Sequence, residues 1–519
     1  MTSALNIVAS NAPFNLARHC LQAHANATPD KPALEVFANL SDAVPSEVWT
    51  YASLEDAVLR VAGGLSALGF EPGTRLLIRL DNTSSYPIVY LGAMAAGLIA
   101  IPTSSQLTPS ESGFLQSDSG AEVVALSQSL ADQEVPSSVR VLSESELRQM
   151  MRDGPRGAYA ATRANDPAYL VYTSGTTARP KGVVHAHRVV LGRQPMYHGW
   201  YAITPNDRVL HAGAFNWTYT LGTGLIDPWS NGATSLIYTG EKSPELWPEL
   251  IRKIGATLFA TVPSLFRQIL KYATPGAIDV GRLRHGLIAG ERPPEDLFET
   301  WYARTGTHLH EALGMSEIST YISTSPTIPR KPGTTGKAQA GRRVAILPVE
   351  VGTDSLSPGQ EGLIAVHRTD PGLMLSYWQR PEEDAEVTRG DWFIGGDIGV
   401  MDDDGYITHL GRANDVMKAL GYRISPQEIE AVLAQCPGVG EVACAEVQVR
   451  SDVSVVGAFV IRAPGSRVSA DNIAAFAAER LAAYKCPREI IFVDHFPRTA
   501  NGKIKRNALM AARETTPTS

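Results

Sequence analysis

Apolar positions along the chain fall into short runs that alternate with helically spaced stretches, and that alternation sets the expected fold class. Residues 53–68 carry apolar side chains at helical spacing, with Ser53 placed to cap the start and Gly69 to end it. Residues 75–80 read as a short strand. The longest apolar stretch, 88–101, is about 14 residues long and lies between Pro87 and Pro102. A bilayer crossing needs roughly 20, so this stretch predicts a buried helix leading into a strand at 98–101. Strand-like runs recur at 168–171, 236–238, 258–261, 287–289 and 344–347. Strands separated by helical stretches pair in parallel. The expected class is therefore α/β, with a large N-terminal domain of parallel-rich sheets wrapped by helices.

The pattern changes near residue 410. Residues 361–366 and 406–410 read as strands between turns rich in Gly and Asp. Beyond them, a helix is expected at 426–435, strands at 442–449 and 455–461, a helix at 470–482 and a last strand at 490–493. This is a small α+β unit of about 100 residues, enough to fold alone. The join, Gly411-Arg412-Ala413-Asn414-Asp415, is a candidate hinge. The tail after Arg513 is expected to fray.

Composition narrows the function classes. The 519 residues are 44% hydrophobic and 19% charged, with a net charge of −7, and point to two or more soluble domains. The acidic balance argues against nucleic acid as a partner, since phosphate neutralisation needs a basic face. The four cysteines, Cys20, Cys436, Cys444 and Cys486, have no zinc-ligand spacing and fit a reduced, cytoplasmic setting. His185/His187 and His308/His310 sit two apart, but no carboxylate or cysteine spacing completes a metal site. Neither a secretory signal nor an integral membrane segment is expected.

The densest chemical signal is Tyr172-Thr173-Ser174-Gly175-Thr176-Thr177-Ala178-Arg179-Pro180-Lys181-Gly182, directly after a strand. Small residues let backbone N–H groups approach a phosphate, hydroxyls add donors, and the lysine adds charge. It is not a Walker A loop, because no Gly-Lys-Ser/Thr ending follows. The order of residues closely resembles the phosphate-binding signature of the adenylate-forming superfamily, which includes acyl-CoA synthetases, stand-alone adenylation domains and firefly-type luciferases. Further signatures follow in order over nearly the whole chain.

The resemblance implies a set of roles. Glu311-Ala312-Leu313-Gly314-Met315-Ser316-Glu317 corresponds to a nucleotide-contacting segment. There Ser316 would touch the α-phosphate and Glu317 would help hold Mg²⁺. Leu313 replaces the family's usual aromatic, and Ser316 its threonine. Gly395-Gly396-Asp397 resembles the family's Thr-Gly-Asp, so Asp397 would accept from the ribose hydroxyls, with Arg412 beside it. Asn414 falls at the hinge position. Gly421 and Tyr422 would lie along the pantetheine arm of coenzyme A, and Arg423 and Lys485 would meet phosphate. Gly290 and Glu291 resemble the segment lining the adenine. Phe215, Asn216 and Trp217 fall at the gate to the acyl pocket, and Gly314 takes the place of a pocket-closing Trp of acetate-activating relatives. Pro497 to Arg506 resembles the C-terminal lysine motif, with Lys503 as the catalytic lysine.

The implied organisation is an N-terminal adenylation domain at 1–411, a hinge at 412–415 and a mobile C-terminal lid at 416–519. The implied reaction has two halves. The carboxylate of an acid larger than acetate, a medium-chain fatty or aromatic acid, attacks the α-phosphorus of MgATP, and a thiol then takes the acyl group. Coenzyme A is the expected thiol, with a carrier protein as the alternative; a homodimer is compatible with the reading. Positioning and cations would carry the first half. Lys503 would bridge the substrate carboxylate and the α-phosphate.

Overall fold

The computed structural model describes every residue except 1–8, 10, 41–42, 174–179, 414–416, 420–421, 425, 451–452, 484, 499–503, 505 and 510–519. It divides into two compact units, Met1–Arg343 with Val366–Asp391, and Val344–Ala365 with Trp392–Ser519.

Two sheets build the larger unit. The first runs in the order Ser376–Tyr377, Lys181–Ala186, Pro167–Thr173, Ile99–Pro102, Arg75–Arg79, Val123–Leu126, Arg140–Ser143. From Pro167–Thr173 onward its neighbours are parallel; the first two strands are antiparallel additions at one edge. The second contains His308–Met315, His285–Ala289, Leu258–Thr261, Arg208–His211, Thr234–Tyr238 and Pro32–Phe37 as a parallel series. Antiparallel strands flank it, Glu47–Thr50 on one side and Ser319–Ser323 on the other.

The apolar stretch at 88–101 becomes the helix Ser85–Ala95 and the strand Ile99–Pro102. All eleven helix residues are buried, as expected of a helix apolar on every side. It packs with the helices Leu16–Ala27 and Tyr51–Ala67 in one continuous core. Truncating a buried leucine there, such as Leu91, would cost about 2–5 kcal/mol. The helix expected at 53–68 starts two residues earlier, and its cap is Thr50, not Ser53. The Thr50 hydroxyl accepts from the Ser53 amide at 3.2 Å, so the serine is the third helical residue rather than the cap.

In the smaller unit, Val439–Arg450 pairs antiparallel with Val453–Arg462, which pairs in parallel with Glu489–Phe492. The helices Pro426–Leu433 and Ala470–Ala478 share a core with these strands. Both end earlier than the apolar pattern suggested, the first before a turn at Cys436-Pro437-Gly438. The strands Val344–Leu347, Glu361–His367, Trp392–Met401 and Tyr406–Arg412 lie side by side in that order. No described helix is long and apolar enough to cross a membrane.

Candidate functional site

The Ser/Thr/Gly segment links two antiparallel strands. Tyr172 and Thr173 end the strand Pro167–Thr173, and Lys181 and Gly182 open the next, with Thr173 opposite Lys181 and Tyr172 opposite Gly182. Lys181 is thus a strand residue rather than part of the loop proper. Ser174, Gly175, Thr176 and Thr177 lie outside the described residues. Lys181 Nζ forms an ion pair with Glu383 and lies 5.5 Å from the ring centroid of Tyr377. Tyr172 donates its hydroxyl to Asp118 Oδ2 at 2.8 Å, and Asp118 also pairs with Arg380 at 2.6 Å.

The second segment is a hairpin, His308–Met315 turning into Ser319–Ser323. Ser316 and Glu317 occupy the turn, which is fixed from several sides. His185 lies on the strand Lys181–Ala186 and is buried; burial lowers its pKa to about 4 and keeps it neutral. Its Nε2 donates to the Ser316 carbonyl at 2.8 Å. The Met374 amide donates to the Glu317 carbonyl at 2.7 Å, and the Tyr377 hydroxyl donates to Glu317 Oε1 at 2.8 Å.

Behind the turn lie two buried ion pairs. Arg193 grips Asp227 through Nε and Nη2, both at 2.6 Å, and donates to the Ser319 hydroxyl through Nη1. Burial opposes the Arg193 charge, but Asp227 overrides it and holds the guanidinium well above its ordinary pKa. Arg342 pairs with Asp370 at 2.7 Å and donates to the Gly192 and Thr320 carbonyls. Removing one member of such a pair leaves a buried charge alone and costs about 3–5 kcal/mol.

Gly314 has a backbone reason to be glycine. The pairing register shifts between Leu313 and Gly314, and a Cβ at 314 would meet the Ser319 carbonyl oxygen at 2.5 Å. The residue is therefore fixed by the close approach of the two strands, whatever space lies beyond them. Ala312 and Met315 are buried within the same strand, with Leu313 partly so. Burial pushes the Glu311 carboxyl up to about 8, against the opposing pull of Arg292.

Gly290 has φ +95, and a Cβ there would find only Val262 at 3.5 Å and the Trp217 ring at 3.8 Å. The structure thus brings Trp217 and Gly290 together. Phe215 is buried against Tyr86, 5.5 Å between ring centroids, and its amide donates to Asn82. Glu291 and Asn216 are partly exposed.

In the smaller unit, Asp397 and Arg412 face each other across paired strands. Asp397 is buried, and its Oδ1 lies 3.1 Å from Arg412 Nε and 3.0 Å from His409 Nε2. Asp397 lies within the strand Trp392–Met401 rather than in a turn. The backbone places Tyr422 opposite Ala419 and Arg423 opposite Lys418. Lys485 forms an ion pair with Glu428. Asn414, Gly421 and Lys503 lie outside the described residues. Of the residues flanking Lys503, Ile504 bridges Arg498, and Arg506 donates to Glu430 and to the Cys444 carbonyl.

Sequence reasoning missed Tyr377, Glu383, His185 as a tether, Asp118 and His409. Each acts through a partner far away in sequence, and none carries a local pattern.

The donors suit a nucleotide-bound magnesium better than a protein cage. Among the described residues no cluster of three His, Cys, Asp or Glu could hold a metal ion. Mg²⁺ held mainly by phosphates and water needs only one or two carboxylates, and Glu317 presents one whose second oxygen is not used by Tyr377.

The chain is 32% identical over 478 residues to 3-hydroxybenzoate–CoA ligase from Aromatoleum sp. (strain CIB), covering 88% of this chain and 90% of that protein. It is 31% identical over 483 residues to benzoate–CoA ligase from Thauera aromatica, covering 89% and 91%. The crystal structure of ATP-bound MatB from Rhodopseudomonas palustris superposes with a TM-score of 0.88 at 26% identity, covering 97% of this chain and 99% of that one. The AMP-binding enzyme C-terminal domain pattern matches residues 428–503. With the AMP-binding enzyme pattern itself matching residues 21–378, well over half of its length, the chain belongs to the AMP-binding enzyme family.

Proposed function

We propose that the chain joins an aromatic carboxylic acid to coenzyme A in an ATP-dependent reaction that passes through an acyl-adenylate and releases AMP and pyrophosphate. The observation that carries this reading is the convergence on Tyr377 of Lys181, suited to phosphate, and Glu317, suited to a phosphate-bound cation. The benzoate and hydroxybenzoate specificities of the two relatives support an aromatic acid, as does the Trp217 ring lying against Gly290.

In this reading Lys181 and the 173–177 hydroxyls hold the leaving phosphates, and Ser316 contacts the α-phosphate. Glu317 would hold Mg²⁺, which when bound would offset negative charge on the phosphate oxygens. Lys503 aligns the substrate carboxylate with the α-phosphorus; Asp397 and Arg412 fix the ribose. The 412–415 segment is the proposed hinge, about which the 416–519 part turns to bring Gly421, Tyr422, Arg423 and Lys485 to coenzyme A. Four free cysteines fit a reduced cytoplasmic setting. The homodimer compatible with this reading is checked by sedimentation velocity at several concentrations.

The test is a carboxylic-acid panel scored by pyrophosphate release with and without coenzyme A. Benzoate-type acids should give the highest kcat/KM, with thioester formed on free coenzyme A. Preference for octanoate would replace the aromatic assignment with a medium-chain one. Pyrophosphate exchange without thioester formation would move the thiol to a carrier protein.

A further inference from the structure

We propose that Tyr377 is a positioning residue that orients the Glu317 carboxylate for a divalent cation while its ring packs beside the phosphate-binding Lys181. The proposal rests on the reading of Glu317 as a cation ligand. It adds a residue to that site through a segment, 374–384, that no motif marks.

The geometry is specific. Ser376 and Tyr377 pair with Val184 and Val183, on the strand that Lys181 opens. The Leu375 and Trp378 amides donate to the Val184 and Gly182 carbonyls, at 2.8 and 2.7 Å. The Tyr377 amide donates to Asp384 Oδ1 at 2.7 Å, and the Met374 amide to the Glu317 carbonyl at 2.7 Å. One short strand thus fastens to the lysine's strand through its backbone and to the glutamate through Met374. From it the Tyr377 side chain, itself buried, reaches Glu317 Oε1 with its hydroxyl and lies 5.5 Å from Lys181 Nζ.

The chemistry of a phenol suits this task. A glutamate side chain has three torsions, and an unrestrained one must be ordered when a cation binds. The Tyr377 hydroxyl restrains it beforehand by taking one oxygen and leaving the other. Being neutral, the phenol does not cancel the charge that attracts the cation, as an arginine or lysine in its place would. Outer-shell partners of this type are typically worth about 10–100-fold in metal affinity.

The test uses Mn²⁺ as probe, titrated by EPR into the full-length protein with a non-hydrolysable ATP analogue, beside thermal melting and binding of the analogue without metal. Tyr377→Phe keeps the ring and removes the hydroxyl. It should weaken Mn²⁺ binding to the protein–nucleotide complex about tenfold, with metal-free analogue affinity unchanged. Tyr377→Trp, which also lacks the hydroxyl, provides the same reading if the first variant does not fold. Glu317→Gln should weaken Mn²⁺ binding at least as much, and the double variant Tyr377→Phe/Glu317→Gln should match Glu317→Gln alone. If Glu317→Gln weakens Mn²⁺ and Tyr377→Phe does not, the positioning role is overturned while the cation reading stands. If neither variant changes Mn²⁺ affinity, both fall.

Discussion

Glu317 sits in a hairpin turn and Asp397 within a strand, and the surroundings of these two carboxylates differ in kind. Glu317 accepts a hydroxyl from Tyr377 and sits in a turn held through its backbone by His185 and Met374. Asp397 is buried, and one of its oxygens lies within hydrogen-bond distance of both Arg412 and His409. A carboxylate partnered by a neutral hydroxyl keeps its charge for a cation. One partnered by a guanidinium has that charge compensated, and serves better as a fixed acceptor for uncharged hydroxyls. The contrast fits the proposed cation role of Glu317 and the proposed ribose role of Asp397.

Substitutions can break that contrast. Glu317→Gln should lower acid-dependent ATP–pyrophosphate exchange about 10²–10³-fold, and raising Mg²⁺ should recover part of the loss. An exchange rate within threefold of the parent would remove Glu317 from the metal role. Asp397→Ala should act on nucleotide affinity instead. The loss of two hydrogen bonds weakens AMP binding roughly 10–100-fold by calorimetry, with no change in Mg²⁺ dependence. Equal sensitivity of both variants to Mg²⁺ would erase the distinction. A smaller effect is expected from Glu311→Gln, read in stability rather than catalysis. Burial raises the Glu311 carboxyl from 4.5 to about 8, so between those pH values the folded chain holds a proton that the unfolded chain releases. Stability therefore falls as pH rises through that window. The glutamine variant, free of this linkage, should gain a few kcal/mol over the parent between pH 5 and pH 8 by urea unfolding. The smallest change should come from Arg412→Lys, a few-fold in AMP affinity, because the arginine is largely exposed and a lysine keeps one donor.

The strands and helices of the larger unit were legible because their periodicity is local. The apolar run at 88–101 and the strand runs at 258–261 and 287–289 report burial directly. Boundaries were less so. Ser53 looks like a cap, yet Thr50 does the work, because a serine three residues into a helix and one at its start carry the same local signature. Motif order singled out Lys181, Glu317, Asp397 and Arg412 as candidates. Their orientation was not, since Tyr377, His185 and His409 reach them by tertiary contact across gaps that no local pattern spans.

The missing Cβ at residue 314 also limits how this chain can diversify. With the facing carbonyl of Ser319 only 2.5 Å from where that carbon would stand, a side chain there cannot be accommodated by rotamer choice; the backbone of the hairpin would have to shift. On the proposed reading, substrate size would be retuned without disturbing the turn that carries Ser316 and Glu317 by changes at Trp217, whose ring lies against Gly290.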